Sequence, residues 1–506
     1  MANELLNALS YEFREVLAPG IRDVTMRNDP IFENFVQGRT RTKYNDTNGL
    51  YEITTTVVTS VAGGVTFSSV LGNQTLAGTD RTVVNESFPA FPGVQDSAMP
   101  GFLRYKVSLT GMRGNLHMPL GILQANQLSA AITDYPALYI KKHIEMLGHL
   151  HACSWYADTS GRLVKINVNA TAGNVVRSTT NDHVVTLSCT SGQLLDDGRA
   201  RRIKPGMYVD VWNSGVTTCY NQSGFVLVIG ALNYQNRTYV SASAPASTLK
   251  LYFSNTAELT AWAGPSNGEV ATYVDDCWLV PRDAILDKTT TGLGLSVMPC
   301  GYQHWVLSTG TLYGAFGDTT IANLPELGSI VDSSVGDITE TVLNAYLSLY
   351  QDALDGDADT IITTNGVITN ILSQPVSNNL MTYERQGQAL DVRMGWRKLR
   401  YMYDGKEFLV LPSPYMTKGH LLITKTGGGN LQEHLPPRIP GTGKQGGYDP
   451  SVQWLGPMFG DGIWMPTHNG GRIAEGAQAP YLITMQRTAD DPRSLLLKDC
   501  TETSVY

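Results

Sequence analysis

The chain is short of charge. Lys, Arg, Asp and Glu make up only 16% of its 506 residues, acidic residues outnumber basic ones 45 to 37, and the formal net charge is −8 at pH 7. A protein whose main work is gripping phosphate backbones needs clustered Lys and Arg, so this balance argues against that class. Long apolar runs are missing too: stretches such as "FVLVIGAL" at 225–232 fall far below the roughly 18 residues of a membrane span. The start, "MANELLNALSYEFREVL", carries acidic residues in a helical pattern in place of a basic segment followed by an apolar core, so no signal peptide is expected. Cys153, Cys189, Cys219, Cys277, Cys300 and Cys500 form no C-x-x-C pair and no zinc-finger spacing. Structural thiols in a reducing cytoplasm are the expectation. Phosphate-loop and H-E-x-x-H motifs are absent from the sequence, and no catalytic residue or cofactor is expected.

The stretch "KKHIEMLGHLH" at 141–151 holds three histidines and a glutamate, which raises the question of a metal. Ile140, Ile144, Leu147 and Leu150 share the three-and-four spacing of one helical face, so the segment is predicted helical. At about 100° per residue His149 lies across the helix from His143, and His143 and His151 stand about 12 Å apart along the axis. A zinc ion takes nitrogens at about 2.0–2.1 Å, so no two of them can share one ion. An amphipathic helix with polar histidines on its flanks is expected instead. "DGDADT" at 355–360 resembles the first half of a calcium loop, with Asp355, Asp357 and Asp359 in alternation. Thr360, however, stands where the loop needs Gly, and Gly366 where it needs a bidentate Glu. Two basic stretches, "RARRIK" at 199–204 and "RMGWRKLRY" at 393–401, interleave cations with aromatics or apolar residues; charged contacts to a neighbouring subunit fit them better than nucleic acid.

What is abundant is Gly, Thr and Asn, with 42% hydrophobic residues, a balance typical of a β-rich, loop-rich structural protein. Leu5, Leu6, Leu9, Phe13 and Val16 give a short amphipathic helix, closed by "APG", that needs a surface to pack on. From about residue 45 the period becomes two: "LYEITTTVVTS" and "FLRYKVSLT" alternate, with Arg104 and Lys106 on the face opposite Leu103, Tyr105 and Val107. Such a long two-stranded ribbon has little stability alone. Short β-branched runs from about 160 to 282, with a type II turn at Pro205-Gly206, indicate an inserted barrel or sandwich. "DITETVLNAYLSLYQDAL" is a helix with Asp337 and Glu340 placed as a capping box and Val342, Tyr346, Leu349 and Ala353 on one face. "ADTIITTNGVITNIL" reads as a buried strand, a turn and a helix, and Asp404-Gly405 as a hairpin turn. The stretch from 426 to 450 reads as a long loop, and the terminus as strand or short helix.

This order of parts resembles the major capsid protein of tailed bacteriophages, an α+β shell fold of the Hong Kong 97 type. The stretches that carry the resemblance are "ELLNALSYEFREVLAPGIRD" for an N-terminal arm, residues 46–118 for the extended E-loop and "PALYIKKHIEMLGHLHACSWY" for the spine helix. They also include "ITETVLNAYLSLYQDALDGDADTIITTNGVITNIL" and "YDGKEFLVLPSPYMTKGHLLIT" for later helices and strands. The resemblance implies an arm over 1–45, an E-loop over 46–118, a peripheral domain over 119–159, an inserted β domain over 160–282, peripheral domain again over 283–358, an axial domain over 359–484, and a return to the periphery over 485–506. It further implies a virion protein without enzymatic activity, assembled in a bacterial host's cytoplasm into pentamers and hexamers of an icosahedral head that encloses double-stranded DNA. Scaffolding, portal and possible cement proteins would be its partners, with no membrane and no sequence-specific DNA contact. Leu5, Leu9 and Phe13 are the expected apolar anchor of the arm, and Arg104, Lys106, Arg397 and Arg400 the expected charged subunit contacts. The Lys–Asn cross-link of some members has no matching residues here. The alternatives are another virion β protein of tail or baseplate, and a carbohydrate-binding or hydrolytic β protein.

Overall fold

The computed structural model describes residues 37–38, 42–45, 50–58, 102–108, 110–119, 135–157, 161–166, 175–178, 181–189, 195–196, 202–231, 247–263, 277–285, 288, 298–309, 311–312, 319–320, 328–354, 358–373, 381–383, 399–425, 431–434, 452–454, 465–467, 476–489 and 493–502. Among them the fold is α+β: five helices, α1 (Tyr135–Trp155), α2 (Thr256–Ala263), α3 (Tyr302–Trp305), α4 (Glu340–Leu354) and α5 (Asn365–Ser373), set against several sheets.

The alternating segments pair as a ribbon. Leu50–Val58 runs antiparallel to Phe102–Ser108, from Glu52 opposite Ser108 to Val58 opposite Phe102. The ribbon has a third strand that the alternation did not reveal, Thr42–Asn45, antiparallel to Leu50–Val58 with Asn45 opposite Leu50. After Ser108 the chain continues into Thr110–Pro119, which pairs over ten positions with the long strand Gly476–Ala489. That strand also carries Leu431–His434, Val452–Trp454 and Met465–Thr467. The stretch 426–450 expected to be a loop therefore contains a strand, because "LQEH" finds its ladder partners far off in sequence, in Gln37–Gly38 and in Gly476–Ala489.

Two sheets supply the cores. The eight-stranded sheet runs in the order Val175–Arg177, Val184–Cys189, Ser247–Phe253, Val226–Ala231, Tyr208–Trp212, Cys277–Pro281, Val164–Ile166, Leu195–Asp196. Its inward residues, among them Val185, Val209, Val226, Leu251, Leu279 and Ile166, form one contiguous core into which α2 inserts Leu259 and Trp262. Gly206 with φ 92° completes the expected turn, and Met207 donates its amide to the Lys204 carbonyl at 3.2 Å.

The seven-stranded sheet is mixed. Its strand Thr360–Thr363 is parallel to Lys406–Pro412 and antiparallel to Leu421–Thr424, and all four of its residues are buried, as befits a strand covered on both faces. One face packs on α4 and α5 through Leu343, Leu347, Tyr350, Val367 and Ile368. The other packs on the end of α1 and on α3 through Trp155, Tyr156, Tyr302 and Trp305. Asp404 and Gly405, with φ 48° and 72°, join Tyr403 to Lys406 in a two-residue turn whose positive angles match the twist of the strands.

Helix α4 departs from its expected start and face. Thr339, two residues after Asp337, caps it, accepting the Val342 amide on Oγ1 at 3.2 Å, while Asp337 Oδ1 accepts from Asn370. Of the expected face Val342 and Tyr346 are half-buried against the core and Leu349 is exposed, while Leu343, Leu347 and Tyr350 are the buried residues. Several residues of the helix are apolar, so its periodicity alone admits more than one inward face; the sheet beneath selects one.

Candidate functional site

Helix α1 is where the parts meet. It is 21 residues long, about 32 Å at the usual rise, and Pro136 sits in its first turn, where a missing N–H costs nothing. Met146, Leu150 and Cys153 face the core of the eight-stranded sheet, whereas Trp155 and Tyr156 enter the core under the seven-stranded one. One helix thus fastens two hydrophobic cores.

Two of its three histidines are not on the flanks. His149 and His151 are each 1% exposed. The spacing argument separates them correctly around the axis, but both sides of the helix end are covered, so each is buried against a different neighbour. His149 Nε2 donates to the Arg202 carbonyl at 2.9 Å and its ring meets Tyr415 edge-on at 5.5 Å. Burial is the main reason its pKa falls to about 4. The Arg202 side chain of "RARRIK" is buried as well, so this residue is not available as a contact to a neighbouring subunit. Its Nε donates to the Tyr415 carbonyl at 2.9 Å, and Nη1 reaches Leu163 O at 3.1 Å. Nη2 bonds Thr417 Oγ1 at 3.2 Å and also the Tyr415 carbonyl. Gln303 Nε2 donates to the same threonine oxygen at 3.0 Å, so segments from both sheets and α3 converge on the loop 413–417.

His151 takes part in a buried ionic cluster. Its Nε2 lies 2.8 Å from Glu433 Oε2, and Arg487 Nε donates to that oxygen at 3.0 Å. Arg487 Nη2 donates to Ser154 Oγ at 2.9 Å, and Ser154 Oγ donates to the His151 carbonyl at 2.6 Å. The register of the sheet places Glu433 directly opposite Arg487. Burial pushes the Glu433 carboxyl up, but the charges and hydrogen bonds of His151 and Arg487 overcome it and hold the group at about 2. Beside it Cys300 is fully enclosed, and burial pushes its thiol up to about 12, which makes it unreactive. Gly301 completes the joint: a Cβ there would stand 2.2 Å from Ala157 O and 2.4 Å from Ser154 O, so only glycine lets α3 approach the end of α1.

This arrangement locks; it offers no open proton-transfer or nucleophilic geometry. Among the described residues no group of three or more His, Cys, Asp or Glu could hold a metal ion, and no described helix is long and apolar enough to cross a membrane. Of the residues expected to contact neighbouring subunits, Leu5, Leu9, Phe13 and Arg397 lie outside the described residues. Arg104 and Lys106 fall on the ribbon opposite Thr56 and Thr54. Arg400 is on strand Leu399–Tyr403, where Nη1 bonds Glu407 at 2.6 Å in a partly exposed pair. Asp355 and Asp357 of the calcium-like stretch are likewise outside the described residues. Sequence reasoning missed Glu433 and Arg487. For Arg487 the available signal was a single charge within the largely apolar strand segment "YLITMQRTA"; "LQEH" carried none.

No family model matches the chain, and no curated protein matches it. Solved structures to which it is similar include the following phage structures. The capsid asymmetric unit of cyanophage A-1(L) is 10% identical at a TM-score of 0.38, covering 94% of this chain and 93% of that one. The satellite phage P4 procapsid with its size determination (Sid) protein is 10% identical at 0.31, covering 97% and 92%. A structure from Mycobacterium phage Patience is 9% identical at 0.30, covering 99% and 90%.

Proposed function

We propose that this chain is the major capsid protein of a tailed bacteriophage, self-assembling into pentamers and hexamers that close an icosahedral head around double-stranded DNA. The observation that carries the reading is the ribbon. Leu50–Val58 pairs with Phe102–Ser108 on one side and Thr42–Asn45 on the other, and among the described residues these strands share no ladder with the eight-stranded or the seven-stranded sheet. A narrow antiparallel ribbon has little stability of its own, and its open edges invite another surface. Neighbouring copies supply that surface in a shell, and the repeated head-to-tail contact closes into rings. The rigid counterpart is α1, which fastens two cores and gives each subunit one fixed body from which the ribbon extends.

In this reading the arm anchors through Leu5, Leu9 and Phe13, while Arg104, Lys106, Arg397 and Arg400 meet carboxylates of adjacent subunits. Arg400 can exchange its Glu407 partner readily, since exposed pairs contribute only up to about 1 kcal/mol. Scaffolding, portal and cement proteins are its proposed partners, and the negative net charge leaves packaged DNA loosely held. The test is assembly of a ribbon variant. Reversing Arg104 and Lys106 to Glu should lower the yield of sedimenting particles while the circular dichroism of the soluble subunit stays unchanged; an unaltered particle yield would rule out that role.

A further inference from the structure

We propose that the joint between the eight-stranded and seven-stranded cores is a hinge opened by acid, with the imidazole of His149 as its trigger. The joint turns on few groups. Tyr415 packs against both cores, and the Arg202 guanidinium donates to the Tyr415 carbonyl and to Thr417 Oγ1. His149 closes the other side of Arg202: its Nε2 donates to the Arg202 carbonyl at 2.9 Å, and its ring meets that of Tyr415 edge-on. The half-buried His420 completes the joint from the seven-stranded side, donating its amide to the Thr417 carbonyl at 3.1 Å and accepting Thr363 Oγ1 on its own carbonyl at 2.8 Å.

The geometry decides what a proton does there. A carbonyl only accepts, so Nε2 carries the hydrogen of neutral His149 and Nδ1 keeps the lone pair. Nδ1 is therefore the atom that acid must protonate. It is enclosed, and it has no hydrogen-bond partner among the described residues. A proton on it creates a buried donor without an acceptor and a buried cation close to a guanidinium, and both costs vanish when the cores part and water enters.

The surrounding charges give little relief. Arg202 and Lys204 act on His149 from the neighbouring segment, free Cys153 on α1 lies 3.8 Å from Nε2, and Tyr415 presents its ring. The carboxylates along α1 are committed elsewhere: Glu145 bonds Lys142 at 2.8 Å in an exposed pair, and Glu433 is bound by His151 and Arg487. His420 feels Lys498 and Arg202, while Glu502, which approaches this turn, accepts the Gly419 amide at 2.9 Å and the Thr364 hydroxyl. Charge gained by either histidine thus meets cations first, and burial holds both at about 4 while the joint is closed. In the open joint they return towards 6.5, so the closed form is fully favoured above that pH and loses ground as pH falls towards 4. At ten-fold per unit below 6.5, His149 alone favours opening by about thirty-fold at pH 5. This inference does not depend on shell assembly.

The test is hydrogen exchange of the full chain, read by mass spectrometry at pH 7 and pH 5 with labelling times scaled to the intrinsic exchange rates. At pH 5 the segment 415–420 should lose protection by about thirty-fold or more, while Val226–Ala231 and Leu421–Thr424, one strand from each core, keep theirs. His149→Gln, whose amide can still donate to the Arg202 carbonyl but takes up no proton, should remove most of that loss. His420→Gln, at a half-buried position, should lessen it. Core-strand protection equal to that of the wild type at pH 7 establishes that each variant folds. A joint as protected at pH 5 as at pH 7, a loss shared equally by the core strands, or an undiminished loss in both folded variants would each overturn the assignment.

Discussion

Arg487 lies over Trp155, its guanidinium carbon 4.3 Å from the ring centroid, while its Nε donates to Glu433. The cation is 0% exposed and sits between an indole from α1 and a carboxylate from the neighbouring strand, so the helix and the sheet cannot separate without stranding a charge. Replacing Arg487 with Met should cost about 3–5 kcal/mol, because Glu433 is left buried without one of its two partners. The double variant Arg487→Met with Glu433→Leu should cost less than the sum of the two single changes, as urea midpoints would show.

Acid should loosen the fold in two steps. Burial holds His143, His149 and His420 at about 4, below their ordinary 6.5, so each favours the folded state while neutral. Their contribution is complete above pH 6.5 and is lost as pH falls towards 4, at roughly 1.4 kcal/mol per histidine for each pH unit crossed. Glu433, held at about 2 against 4.5, adds a second loss from pH 4.5 downward. Guanidinium unfolding of the subunit from pH 7 to 4 should show this decline, and His149→Gln should flatten its first part. A stability curve level between pH 6.5 and 4 would contradict the assignment.

The two cores should be separable at Arg202. Its guanidinium joins the Tyr415 carbonyl and Thr417 of one part to Leu163 of the other. Arg202→Ala leaves buried carbonyls without donors, at about 1–3 kcal/mol each. Calorimetry should then resolve two transitions in place of one, or a broadened one; a single transition of unchanged width would show that the junction does not depend on this side chain.

Gly301→Ala should be among the most damaging single-methyl changes in the chain. The added carbon would meet backbone oxygens of Ala157 and Ser154, which cannot swing aside as a side chain can. A loss above about 2 kcal/mol in the unfolding free energy is expected.

Legibility in the sequence followed the range of the interactions. Local signals were read correctly: the two-residue period of Leu50–Val58 and Phe102–Ser108, the Asp404-Gly405 turn, and the helical spacing from Ile140 to Leu150 each depend on neighbours a few residues away. Burial on α1 was not legible, because whether His151 faces water or Glu433 depends on a strand 282 residues later. The true cap of α4 was missed for a subtler reason. Asp337 and Thr339 are both competent caps, and the choice between them is made by where the chain leaves the seven-stranded sheet.

The central claim is assembly, and negative-stain microscopy of the purified chain, alone and with lysate of its source, tests it most directly. The wild-type protein should give closed isometric particles or rings of five and six, and a variant carrying Leu9→Asp and Phe13→Asp should give a folded subunit that forms neither. A wild-type protein that stays a monodisperse monomer in both conditions would contradict the account.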